Sequence, residues 1–167
     1  MSDNQQEIYN TAKEVLENLL SLMGLNGSIF PSDEFTTTDE NGVTTSVGLN
    51  IEGEDLGILI GRRGQTMVSL QYIVRIIVSH KMQVQIPIVL DVEGYKQRRC
   101  EGLRQLAERL AEQVKNRKTP FTMEPMSAFE RRIIHITLAN HPDVITESIG
   151  FGDARKVVIT PKTLPQN

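Results

Sequence analysis

The stretch GILIGRRGQTM, residues 57–67, sets Arg62 and Arg63 between Gly61 and Gly64, after a short apolar run and before a segment that returns to helical period. A nucleotide-binding P-loop needs its last glycine followed by Lys and then Ser or Thr, but Gly64 is followed by Gln65 and Thr66. A dinucleotide fingerprint needs Gly-x-Gly-x-x-Gly after a strand, whereas Gly57 stands four residues before Gly61 on a helical segment. What remains is a helix, a Gly-x-x-Gly turn and a second helix. Such a turn brings bare backbone, the N-terminal amides of the following helix and two guanidinium groups to one place, which suits a phosphate chain. Without context, a plain helix-to-helix turn would explain it equally well.

The context is read outward from the turn. Upstream, Ile8, Ala12, Val15, Leu19 and Met23 recur at helical spacing, and Gly24 offers a stop, which predicts a helix over 7–23. A strand is predicted from Ile29 to Thr38, then a turn at 39–42, then a strand in which Val43, Thr45, Val47, Leu49 and Ile51 alternate. Downstream, Met67, Leu70, Val74 and Ile77 predict a helix from Gln65 to about Ser79. Val84, Ile86, Ile88 and Leu90 predict a third strand, which Pro87 assigns to an edge or a bulge because it cannot donate to a ladder. The order is α-β-β-α-α-β. In this order, with its Gly-x-x-Gly turn, the first 93 residues resemble a type II KH domain. The resemblance implies that Gly61, Arg62, Arg63 and Gly64 clamp a nucleic-acid backbone while a groove beside them reads about four bases. Ile58, Ile60, Met67 and the third strand are the expected apolar wall of that groove, and are equally what any core would use.

A second unit is predicted over 94–162, with a short tail at 163–167. Leu103, Leu106, Leu110 and Val114 mark one face of a basic helix from about Tyr95 to Asn116. SAFE, 127–130, has the form of a capping box and opens a helix to about Ala139. DVITESIG and RKVVITP read as two strands joined by a glycine-containing turn at 150–153. In ERRIIHITLANH, Arg131 and His135 are four apart and therefore share a helix face. Arginine forks onto phosphate, and histidine stacks or donates, although the pair also occurs on ordinary solvated helices. In this setting the segment resembles the Arg-x-x-x-His, or R-three-H, domain, a small α/β module that binds single-stranded nucleic acid. The fold class expected for the whole chain is α+β.

A KH domain followed directly by this module is the layout of the bacterial Jag family, which the chain resembles over nearly its full length. The resemblance implies a binder of single-stranded RNA, acting as a post-transcriptional regulator or RNA chaperone, and partnership with a small stand-alone KH protein; a cytoplasmic location is expected from the polar, acidic start of the sequence. Many members carry an additional N-terminal Jag domain and linker, for which the residues before 7 leave no room, so roles that need that piece are not expected of this sequence. Two alternatives stand beside this reading, a protein-interaction scaffold with a degenerate KH fold and a single-stranded DNA binder.

Composition bears on these classes. Of 167 residues, 39% are hydrophobic and 23% charged, as in a globular chain. The apolar run IVRIIV is broken by Arg75 and falls far short of a membrane span. The polar, acidic start MSDNQQE is unlike a secretion signal. The net charge of -3 conceals an asymmetry: residues 1–57 carry one basic group against eleven acids, and residues 95–135 carry ten against five. That distribution would suit the middle of the chain to a polyanion, and is equally what ordinary solvated helix faces would give. Aromatics are few, with Tyr95, Phe129 and Phe151 the candidates for base stacking. Cys100 is the single cysteine, read as a structural thiol. His135 and His141 are six apart and do not form a paired zinc site on one helix face. No cofactor, metal or catalytic residue is expected.

Overall fold

The computed structural model describes residues 3–40 and 44–162. Part of the predicted turn at 39–42, the start of the alternating strand at Val43 and the tail at 163–167 therefore lie outside the described residues. Contacts divide the chain into two units, the first ending at Lys96 and the second starting at Gln97.

In the first unit, α1 spans Asp3–Leu22. It buries Ile8, Ala12, Val15, Leu16 and Leu20, while Met23, expected on the apolar stripe, is exposed just past the helix end. The strand predicted over 29–38 is two strands, β1 (Ser28–Pro31) and β2 (Thr37–Thr38). Pro31 has no N–H to continue the ladder, and the chain between them folds over Gly48. A side chain at Gly48 would collide with Ser32 and Phe35, and the Gly48 N–H donates to Thr36 Oγ1 at 2.9 Å instead of to a strand.

The long strand β3 (Thr44–Glu52) lies at the centre of the sheet. It pairs antiparallel with β1, Ile29 opposite Ile51, and parallel with β4 (Ile88–Val92), Val47 opposite Ile88. Pro87 precedes β4 rather than interrupting it, and its carbonyl accepts from the Val47 N–H at 3.0 Å. Between β3 and β4 come α2 (Gly57–Ile60), a 3-10 turn (Arg62–Gly64) and α3 (Gln65–Met82). Met67, Leu70, Val74 and Val78 of α3 pack on the sheet, joined by Leu49, Ile51, Leu90 and Val92. On the same helix, Gln71 Oε1 accepts the Leu90 N–H at 3.0 Å, satisfying a donor on the outer strand.

Helix α4 spans Tyr95–Arg117. Its first two residues belong to the first unit by packing, because the Tyr95 ring lies against Gly64 and the Lys96 ammonium sits 4.8 Å from the centre of the Phe35 ring. Burial there pushes the Lys96 pKa down, partly opposed by Asp91 and Glu34.

The second unit has its own antiparallel sheet in the order β5 (Phe121–Thr122), β7 (Lys156–Pro161), β6 (Val144–Ile149). Leu103, Ala107, Leu110, Ala111 and Val114 of α4 meet Ile133, Ile134 and Leu138 of α5 (Ala128–Leu138) over Val144, Val157 and Ile159. Cys100 packs, half-buried, at the border of this core. Among the described residues no helix is long and apolar enough to cross a membrane. The architecture is the expected α+β one, but the first unit runs α-β-β-β-α-α-β, the expected order with its first strand divided in two, and is followed by a small α/β unit.

Candidate nucleic-acid interface

The Gly61–Gly64 turn is built by three residues with positive φ. Gly61 has φ 65° and ψ −166°, a region that only glycine enters readily, and Gly64 has φ 80° and ψ 6°. Arg63 lies between them at φ 55° and ψ 34°, an uncommon conformation for a long side chain. Crowding enforces the glycines as well. A Cβ on Gly61 would overlap Thr66 Oγ1, and one on Gly64 would come within 2.9 Å of Tyr95 Cε1. The fold itself thus demands both glycines, a requirement that the motif alone does not reveal.

Gly64 is the N-cap of α3, no side chain caps that end, and its first turn holds no acid. The Gln65 N–H is taken by the Arg62 carbonyl, so the helix offers the amides beyond Gln65 and the positive end of its dipole. Arg62 is exposed and Arg63 half-buried beside it. Of the expected groove wall, Ile58 is exposed, Ile60 half-buried and Met67 only 3% exposed. Met67 belongs to the core, because its helical phase is that of Leu70 and Val74. The outward side of α3 carries an apolar stripe that the helical period of the buried face does not reveal: Val68, Tyr72, Ile73 and Ile76 are all exposed.

In the second unit, α5 starts with the expected capping box. Ser127 Oγ accepts the Glu130 N–H, and Glu130 Oε2 accepts the Ser127 N–H at 3.0 Å. The other Glu130 oxygen takes the Arg99 Nε–H at 2.8 Å, tying α5 to α4. One turn on, Arg131 and His135 share the flank of α5 that faces β6. Arg131 Nη1 donates to Ser148 Oγ at 3.2 Å. His135 Nδ1 lies 2.7 Å from Thr146 Oγ1 and Nε2 2.8 Å from Ser148 Oγ. Both ring nitrogens are therefore occupied by hydroxyls of β6. Arg131 Nε is buried without a hydrogen-bond partner among the described residues. The hydroxyls of Thr146 and Ser148 belong to no motif in the sequence; their two-residue spacing on a strand is the signal that puts both on one side. His141 is engaged separately, its Nδ1 accepting the Asp143 N–H at 3.2 Å.

Burial, and secondarily the Arg131 guanidinium, push the His135 pKa below its ordinary value of 6.5. The unfolded chain takes up a proton near pH 6.5 that the folded chain resists, so this contribution to stability is present above that pH and is lost as pH falls towards the folded value. Between pH 7.5 and 5.5 the thermal midpoint of the parent should fall further than that of His135→Gln. Parallel pH profiles would show that His135 is not resisting protonation in the folded state.

Comparison with known proteins agrees with this division. Residues 13–89 match the KH-domain model of the KhpA/KhpB proteins, and residues 101–161 match the R-three-H domain model. The chain is 39% identical over 158 residues to the RNA-binding protein KhpB of Clostridium symbiosum, covering 95% of this chain and 68% of that protein. It is 39% identical over 120 residues to KhpB of Bacillus subtilis (70% of this chain, 57% of that protein). It is 37% identical over 111 residues to KhpB of Lactiplantibacillus plantarum (66% and 34%). The chain thus spans between about one third and two thirds of the length of these relatives.

Proposed function

This chain belongs to the KhpB (Jag) family, non-enzymatic proteins with a KH domain followed by an R-three-H domain, and on that premise we propose that it binds single-stranded RNA with both modules as a post-transcriptional regulator or RNA chaperone. The observation that carries the reading is the start of α3, free of any side-chain cap, behind an exposed Arg62. Phosphate there accepts from helix amides and pairs with guanidinium, while the glycines leave the approach free of side chains. The R-three-H module adds a second contact. Ser148 orients Nη1 of Arg131 and Nε is buried, leaving Nη2 for a phosphate, and His135 holds Ser148 rather than touching the ligand through a ring nitrogen. The domain limits suited to this reading are 1–93 and 94–162. The exposed stripe of Val68, Tyr72, Ile73 and Ile76 on α3 supports a small stand-alone KH protein as a partner.

The test is a titration of the full chain with a single-stranded RNA, the matching DNA strand and the duplex RNA at several salt concentrations. Single-stranded RNA should bind most tightly. Equal affinity for the DNA strand would make the protein a general single-strand binder, and no binding to any of them would favour a scaffold. Arg131→Ala should weaken binding across sequences and shallow the salt dependence by about 0.7 log unit per log unit of salt, the value for one lost single-strand phosphate contact. An unchanged slope in a well-folded variant would remove Arg131 from the phosphate path.

A further inference from the structure

Phe151 is 92% exposed, the largest exposure of any large apolar side chain among the described residues. It sits in the β6–β7 loop between Gly150, at φ +85°, and Gly152, at φ +51°. Burial does not account for it, yet the loop that carries it is well braced. The Ala154 N–H donates to the Phe151 carbonyl at 3.1 Å and the Arg155 N–H to the Gly152 carbonyl at 3.2 Å. A Cβ on Gly150 would come within 3.0 Å of the Ala154 carbonyl. From outside, the Met126 N–H donates to the Arg155 carbonyl at 3.2 Å, fastening the loop to the segment that leads into α5. The ring is thus presented on a fixed support.

Its position relates it to the R-three-H contact. Three residues earlier, Ser148 receives Arg131 and His135, and the order Thr146, Ser148 along β6 and then Phe151 in the loop runs towards the N-terminal end of α5. The loop itself offers no second large apolar side chain, its other residues being Gly150, Gly152, Asp153, Ala154 and Arg155; the exposed Ile149 and Phe129 of the same unit lie on β6 and α5. What it offers is a lone aromatic ring with no side chains on its immediate neighbours, followed by Arg155 and Lys156. An aromatic face beside cationic groups is what an unpaired base on a charged backbone recognises.

We propose that Phe151 is a base-stacking residue of the R-three-H module: one unpaired nucleobase lies on its ring while a neighbouring phosphate of the same strand lies against Arg131. The inference rests on the RNA-binding reading above and adds to it a contact to a base. Stacking tolerates any base, so Phe151 contributes affinity for exposed bases rather than preference among them.

The test uses the full chain, a short single-stranded RNA and an abasic ribose-phosphate strand of equal length. Phe151→Ala should weaken RNA binding about 5- to 10-fold, leave binding to the abasic strand unchanged and leave the circular-dichroism melting curve unchanged. The sequence contains no tryptophan, so Phe151→Trp introduces a single reporter. Its emission should be quenched by the RNA and not by the abasic strand, with affinity close to the parent's. A Phe151→Ala variant that binds RNA as the parent does, or that loses equally on both strands, overturns the stacking assignment while the RNA-binding reading stands. A parent chain that binds neither strand overturns both.

Discussion

Replacing Arg62 and Arg63 together by Asp should weaken binding to single-stranded RNA on the order of 100-fold, because each change removes a cation and sets an anion against phosphate, and such like-charge contacts cost several kcal/mol. The fold should tolerate it. Arg62 is exposed, and surface substitutions shift stability by roughly 0.5 kcal/mol. Arg63 holds a positive φ of 55°, a conformation that aspartate adopts more readily than arginine, so the backbone of the turn gains nothing by rearranging. The thermal midpoint of the first unit should stay within about 4–8 °C of the parent, the shift that ~1 kcal/mol produces in a unit of this size. Binding equal to the parent's would reduce the Gly61–Gly64 turn to a connector between two helices, and a collapse of the melting curve would make the arginines structural.

Gly61→Ala should behave in the opposite way, damaging the fold first and binding only as a consequence. The backbone at Gly61, φ 65° and ψ −166°, costs a residue with a Cβ roughly 1–3 kcal/mol. The new methyl would also overlap Thr66 Oγ1 at the start of α3. Relief requires the turn to move away from the helix it caps, so the combined loss should be about 2–4 kcal/mol, read as a lower urea midpoint of the first unit. The second unit has a separate core, and its transition should be unaffected, so the unfolding curve of the variant should separate into two steps. Stability equal to the parent's would mean that the turn does not hold this conformation.

The four-residue motif thus divides into arginines for the ligand and glycines for the fold, a division not legible in the letters. From the letters alone, the glycines let a phosphate chain come close. Thr66 and Tyr95 explain why the glycines are required even without a ligand. Tyr95 lies 31 residues beyond Gly64 in a different helix, and no local pattern reports a contact at that separation.

What the sequence by itself determined are the features written within a few residues of each other. The helical periods, the capping box of Ser127 and Glu130, the glycine turn and the sharing of one helix face by Arg131 and His135 all follow from neighbours in the chain. So do α1, α3 and β3, because each is long enough to carry its own hydrophobic repeat. Tertiary structure alone decided the rest. The segment 28–38 became two strands because its middle folds over Gly48, which belongs to another strand. β3 and β4 run parallel because α3 lies between them in the chain and packs back on their sheet. His135 has both ring nitrogens taken because Thr146 and Ser148 arrive on β6, and burial together with the closeness of Arg131 lowers its pKa. Local propensity specifies which elements form; which side chains meet across them depends on contacts distant in sequence, formed only when the elements pack around a common core.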